Sequence, residues 1–151
     1  MKKQPLIIGF IILILFISFS GCFGNPMKTT TMSIPEIKAA SINISYDELM
    51  RNNSNYVGKI VYFRGQIVQV IEGGSDFYSF RVSTKNQGYG MYYDNEIYLN
   101  YKGSRLLEKD IIDIWGYVKG LMTYTTVLGA QVTLPELDAF HTELVKKAGS
   151  P

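Results

Sequence analysis

The stretch from Asp110 to Pro135, DIIDIWGYVKGLMTYTTVLGAQVTLP, decides the fold. Every second residue along Ile112, Ile114, Gly116 and Val118 is apolar or glycine, the period of a β-strand. Lys119-Gly120 interrupts this run. Tyr124-Thr125-Thr126-Val127 resumes it, Gly129 marks a bend, and Gln131-Val132-Thr133-Leu134 continues to Pro135. β-Branched and aromatic residues dominate, as a pleated, half-buried surface favours. The stretch therefore predicts two strands joined by a tight glycine-containing connection at 119–123.

Upstream, Gly58 to Ile71 (GKIVYFRGQIVQVI) is a longer β run with Gly65 in its middle. A glycine inside such a run predicts a sharp bend or bulge. A long, bent first strand suits a small closed barrel, because it pairs in both halves. Glu72 to Asp76 is a turn. Phe77 to Ser83 forms a second strand with Tyr78, Phe80 and Val82 on one face. Lys85 to Gly90 is a polar loop. Met91 to Tyr101 is a third strand, with Ile97, Leu99 and Tyr101 on one face and Tyr98 and Asn100 on the other. Residues 104–109 read as a short connection of at most one helical turn. In 136–145, Leu137, Phe140 and Leu144 fit a helix and Ala139-Phe140-His141-Thr142 a strand; the extended strand that finishes the sheet is the reading preferred.

Before the strands, Ser45 and Glu48 form a capping-box pattern. They predict a helix of about two turns with Tyr46, Leu49 and Met50 inward, ending in Asn52-Asn53-Ser54-Asn55. The whole is an all-β, five-stranded barrel preceded by a short helix, over residues 41–151.

With the strands laid out, the run Leu106 to Gly116 (LLEKDIIDIWG), Gly58-Lys59 and Tyr124 to Gly129 resemble OB-like domains of bacterial and archaeal surface lipoproteins. These are similar to the tRNA-anticodon-binding-like OB group. The resemblance spans about Ser45 to Leu144 and lacks a full helix between the third and fourth strands. It implies a binding face over strands two and three, flanked by the 1–2 and 4–5 loops. Projected here, the loops are 72–76 and 119–123, and the candidate face carries Arg64, Arg81, Tyr98 and Asn100. Trp115 and Tyr117 alternate away from Ile114 and Gly116 and are expected to point outward together. Aromatic rings beside arginine suit bases or sugars. The same residues are equally ordinary strand residues that pair across a sheet.

The N-terminus sets an expected compartment. Met1-Lys2-Lys3, an apolar run from Leu6 to Phe19, and Ser20-Gly21-Cys22 have the order of a secretory signal. Phe19-Ser20-Gly21-Cys22 resembles a prokaryotic lipobox, so residues 1–21 are expected to be removed and Cys22 to carry lipid. A signal cut elsewhere and an uncleaved anchor remain alternatives. Diacyl attachment supplies the two chains that stable anchoring needs. Residues 22–40 read as a flexible tether of about 25 Å r.m.s., with the domain on the extracytoplasmic face of the cell membrane.

Composition narrows the function. Hydrophobic residues are 46% of the 151, enough for a core. Of 15 basic residues, Lys2 and Lys3 fall in the signal; the remaining 13 balance 13 acidic ones. A neutral domain lacks the electrostatic footprint expected for nucleic acid. One cysteine forbids an internal disulfide, and one histidine with one cysteine makes no nitrogen–sulfur metal cluster; no cofactor is expected. His141 has no evident partner for general base work, Asp110, Asp113 and Glu108 read as a solvated acidic turn, and Thr125-Thr126 has no activating base. The expectation is a binding module that is not an enzyme. Its partner is a protein or an extended polymer, envelope glycan before single-stranded nucleic acid. A hydrolase is the least favoured reading.

Overall fold

The computed structural model describes residues 32–150. Cys22 and the expected signal lie outside them. The elements are α1 (Ile34–Ala40), β1 (Ile42–Asn43), α2 (Tyr46–Arg51), a 3₁₀ turn (Asn53–Asn55), β2 (Ile60–Gly74), β3 (Phe77–Ser83), β4 (Glu96–Lys102), β5 (Ile111–Thr125) and β6 (Gln131–Lys146). The long strands are hydrogen-bonded in the order β2-β3-β4-β6-β5, and β5 returns to β2. The barrel is closed, with β4 and β6 its parallel pair and the other four pairs antiparallel. This is the expected five-stranded OB-like barrel.

Gly65 makes the closure possible. β2 pairs with β5 from Ile60 to Gln66 and with β3 from Gln66 to Gly74, so the strand changes partner at the glycine. A Cβ on Gly65 would stand 2.5 Å from the Ser83 carbonyl oxygen and 2.6 Å from a Val82 methyl. Only a residue without a side chain lets the two strands meet there. Inside, Val61, Phe63, Ile67, Phe80, Val82, Ile97, Leu99, Ile112, Ile114, Val118 and Leu137 form one core. The alternation read along the second and third strands holds at Phe80, Val82, Ile97 and Leu99.

Leu49 of α2 is fully buried in that same core. The Ser45 hydroxyl accepts a hydrogen bond from the Glu48 N–H at 3.2 Å, as the cap predicts. The Glu48 carboxylate bonds Asn52 and Tyr56 instead of reaching back to Ser45. No helix lies between β4 and β5; the helix that packs into the barrel core comes from before the first long strand.

Five expectations need correction. Residues 34–40, read as tether, form α1. Its Ser33 N–H and hydroxyl both donate to the Glu36 carboxylate at 2.7 Å, and Ile37 is only 1% exposed against the barrel. Lys119-Gly120 does not end a strand: β5 runs through it on a bulge between Val118 and Gly120, and the turn comes at 126–130. Pro135 does not close β6. It precedes Glu136, where pairing with β4 begins, so a missing N–H can face an open edge. The third strand starts at Glu96, not Met91, because Asp94 and Asn95 have positive φ. Asp110 and Asp113 are buried rather than solvated. Asp110 accepts the Leu107 and Ala148 N–H groups at 2.9 and 2.8 Å.

Candidate functional site

The outer faces of β3 and β4 form the floor of a groove. Register sets Ser79 opposite Asn100, Arg81 opposite Tyr98 and Ser83 opposite Glu96. The inward partners Phe80, Val82, Ile97 and Leu99 are fully buried, so Ser79, Arg81, Glu96, Tyr98 and Asn100 face outward, while Ser83 is covered. One part of the groove is lined by Gln69, Ile71, Arg81, Tyr98, Met122 and Tyr124. The adjoining part shares Tyr98 and Met122 and adds Ser79, Asn100, Lys119, Glu136 and Asp138. The walls are thus the far half of β2 on one side and the β5–β6 hairpin on the other.

The groove's charges are matched within it. The Arg81 guanidinium donates to Glu96 at 2.5 and 2.9 Å and to Gln69 at 3.1 Å. It also lies 5.7 Å from the centre of the Tyr124 ring. Asn100 donates to Glu136 at 2.7 Å and Asp138 at 2.9 Å. Lys119 donates to Glu136 at 2.9 Å and stands 3.7 Å from Asp138. Burial pushes the Glu136 carboxyl up, but the hydrogen bonds from Lys119 and Asn100 outweigh it and hold the carboxyl below its usual range. The bond to Glu136 raises Lys119 in turn. Two cations and three carboxylates line this floor, a composition that does not draw a polyanion.

Of the six residues expected on one face, the structure brings Arg81, Tyr98 and Asn100 together. It sets Arg64, Trp115 and Tyr117 on the β2–β5 wall and its β6 flank. There the Arg64 guanidinium bonds Asp113 through two nitrogens, at 2.6 and 2.7 Å, and the Tyr62 hydroxyl donates to the same carboxylate at 2.7 Å. Burial raises the Asp113 carboxyl, and these bonds, with the charges of Arg64 and Lys38, bring it below its ordinary value. The bond to Asp113 raises Arg64.

Trp115 does point out of the barrel, but α1 covers it. It packs with Ile37 and Ile60 and is 7% exposed, with the Lys38 ammonium 4.4 Å above its ring. Lys38 also donates to Glu143 at 2.7 Å. Tyr117 packs at the edge of this cluster, its ring 5.5 Å from Phe140. His141 has an acid in reach, Glu143 at 3.1 Å. The pair sits beside Trp115 on the outer wall, and Glu143 is already held by Lys38.

Sequence reading did not put Gln69, Lys119, Met122, Tyr124, Glu136 and Asp138 on the face itself; Lys119 and Met122 it placed in the flanking loop at 119–123. The signal for four of them was available once β5 and β6 are known to run on: Met122 and Tyr124 share one face of β5, Glu136 and Asp138 one face of β6.

No protein-family model matches the chain, and no curated protein matches its sequence. Solved structures do. Aspartyl-tRNA synthetase from Leishmania major Friedlin matches 82% of this chain and 23% of its own, at 12% identity and a TM-score of 0.49. Aspartyl-tRNA synthetase from Entamoeba histolytica matches 85% of this chain and 24% of its own, at 16% identity and 0.43. The mitochondrial single-stranded DNA binding protein of S. cerevisiae matches 60% of this chain and 97% of its own, at 12% identity and 0.38. The chain thus spans about a quarter of each synthetase. At these levels the OB assignment rests on strand order and register.

Proposed function

We propose that this chain is a non-catalytic OB-fold binding module, tethered through Cys22 to the extracytoplasmic face of a membrane, with its ligand in the β3–β4 groove. The observation that carries the reading is that groove. Tyr98 and Tyr124 offer ring faces, Asn100, Arg81 and the carboxylates offer hydrogen bonds in fixed positions, and the charges cancel to within one. An extended, weakly charged polymer fits this chemistry, an envelope glycan before a nucleic acid. A protein segment lying on the same floor is the second reading, favoured by the exposed apolar side chains of Ile71 on β2 and Phe77 on β3 at its rim.

The test is an amide chemical-shift titration of residues 32–151 with oligosaccharides, short single-stranded DNA and peptides. A glycan ligand shifts the amides of Arg81, Tyr98, Asn100 and Tyr124 saturably and leaves those of Arg64 and Trp115 in place. Shifts confined to the α1 side, or stronger shifts with DNA at physiological salt, would overturn the groove or the ligand class respectively.

A further inference from the structure

The β5–β6 hairpin carries a second surface. From residue 121 to residue 135 there is no Asp, Glu, Lys or Arg, in a chain with 19% charged residues. At its tip Val127 and Leu128 are 104% and 93% exposed. The polar groups around them are largely closed on one another. The Thr126 N–H donates to the Ala130 carbonyl at 2.8 Å and the Gly129 N–H to the Thr126 carbonyl at 2.9 Å. The Thr126 hydroxyl accepts from the Ala130 N–H at 3.1 Å. Further down, the Thr123 and Thr133 hydroxyls bond each other at 2.8 Å. The turn is closed at Thr126, Gly129 and Ala130 and presents two aliphatic side chains at its tip, a depth of entry that stays within the interfacial region, where water still reaches the backbone. Tyr124, a few residues down the hairpin, has the amphipathic ring that sits well at headgroup level.

A protein groove would also receive two aliphatic side chains. The hairpin, however, offers no charged rim to fix a protein partner's register, whereas the chain itself brings a bilayer within range. The ten residues from Cys22 to Met32 reach about 35 Å fully extended. We propose that Val127 and Leu128 insert into the membrane to which the chain is tethered, a second, shallow attachment that sets the groove beside the bilayer surface. Insertion by two residues is weak by itself and gains from the high local concentration that the tether imposes. The proposal rests on the tether reading of Cys22.

The experiment uses the full chain, purified from membranes and reconstituted into phosphatidylcholine vesicles. An environment-sensitive fluorophore is placed at Leu128→Cys, or at Lys147→Cys near the opposite end of the β5–β6 ladder, with unsubstituted protein as the labelling blank. The expected result is co-flotation with vesicles, a blue shift at position 128, quenching there by lipid-borne quenchers, and an aqueous signal at position 147. Flotation with an aqueous signal at 128 overturns insertion and leaves the tether standing. Failure to float overturns the tether and the proposal with it. A signal at 128 that is aqueous on pure lipid and buried only in native membranes overturns lipid insertion in favour of a protein partner.

Discussion

Two walls of this barrel are built from nearly the same parts. The β2–β5 wall has an arginine paired to an acid (Arg64 and Asp113), a tyrosine and a tryptophan. The β3–β4 wall has an arginine paired to an acid (Arg81 and Glu96), a tyrosine and an asparagine (Tyr98 and Asn100), with Tyr124 of β5 beside them. The first is roofed by α1, whose Ile37 and Lys38 seal Trp115. The second is flanked by hairpins and left open. Residue type thus does not tell an open face from a packing face; the element that lies over it does. Seven residues of helix turn a plausible aromatic platform into a small satellite core.

The largest expected effect falls on the strand that both walls share. Gly65→Val drives a side chain into the Ser83 backbone and should cost ~3 kcal/mol or more by overpacking, read as loss of the cooperative melting transition or a fall in Tm beyond 10 °C. Trp115→Ala should come next. Removing a buried tryptophan costs about 3 kcal/mol while leaving any ligand affinity of the groove unchanged. A Trp115→Ala protein that melts normally and no longer binds would reverse the roles of the two walls.

Asp113→Asn is smaller, about 2 kcal/mol, because it weakens charge-assisted bonds to a partly exposed Arg64. It also carries a pH signature. The folded Asp113 carboxyl is depressed, so its contribution is complete above the unfolded value of about 3.9 and is lost as pH falls through the lower folded value. Below about pH 4, urea midpoints of the parent and Asp113→Asn should converge; parallel curves down to the acid limit would remove Asp113 from the account. Smallest in stability is Tyr98→Ala, under about 1 kcal/mol for a half-exposed strand residue, with at least a tenfold loss in ligand affinity by calorimetry. Unchanged affinity would leave the open wall without a role.

Much of the barrel was legible because it rests on local rules. Gly65 announced the bend, Ser45 and Glu48 the start of α2, and alternation along β3 and β4 the inward residues. The outward placement of Arg81, Tyr98 and Asn100 was legible for the same reason. What stayed hidden depended on tertiary contacts. Lys119-Gly120 reads as a turn because glycine and lysine punctuate a strand pattern, yet β6 holds β5 in register across a bulge. Ser33 and Glu36 already spell a helix start, but a helix this short gains its stability from docking Ile37. Nothing local announces that partner. Trp115 was placed on the correct side of its strand, and its burial came from a segment read as tether.

That helix has a mechanical consequence. A load applied at Met32 meets α1 before any long strand. One buried isoleucine and the contacts of Lys38 hold it there, whereas β5 and β6 are laced along their full lengths. Under tension α1 would peel away first and release its own extended span, with the barrel and its groove intact. The lone tryptophan, uncovered at that moment, would report the event optically.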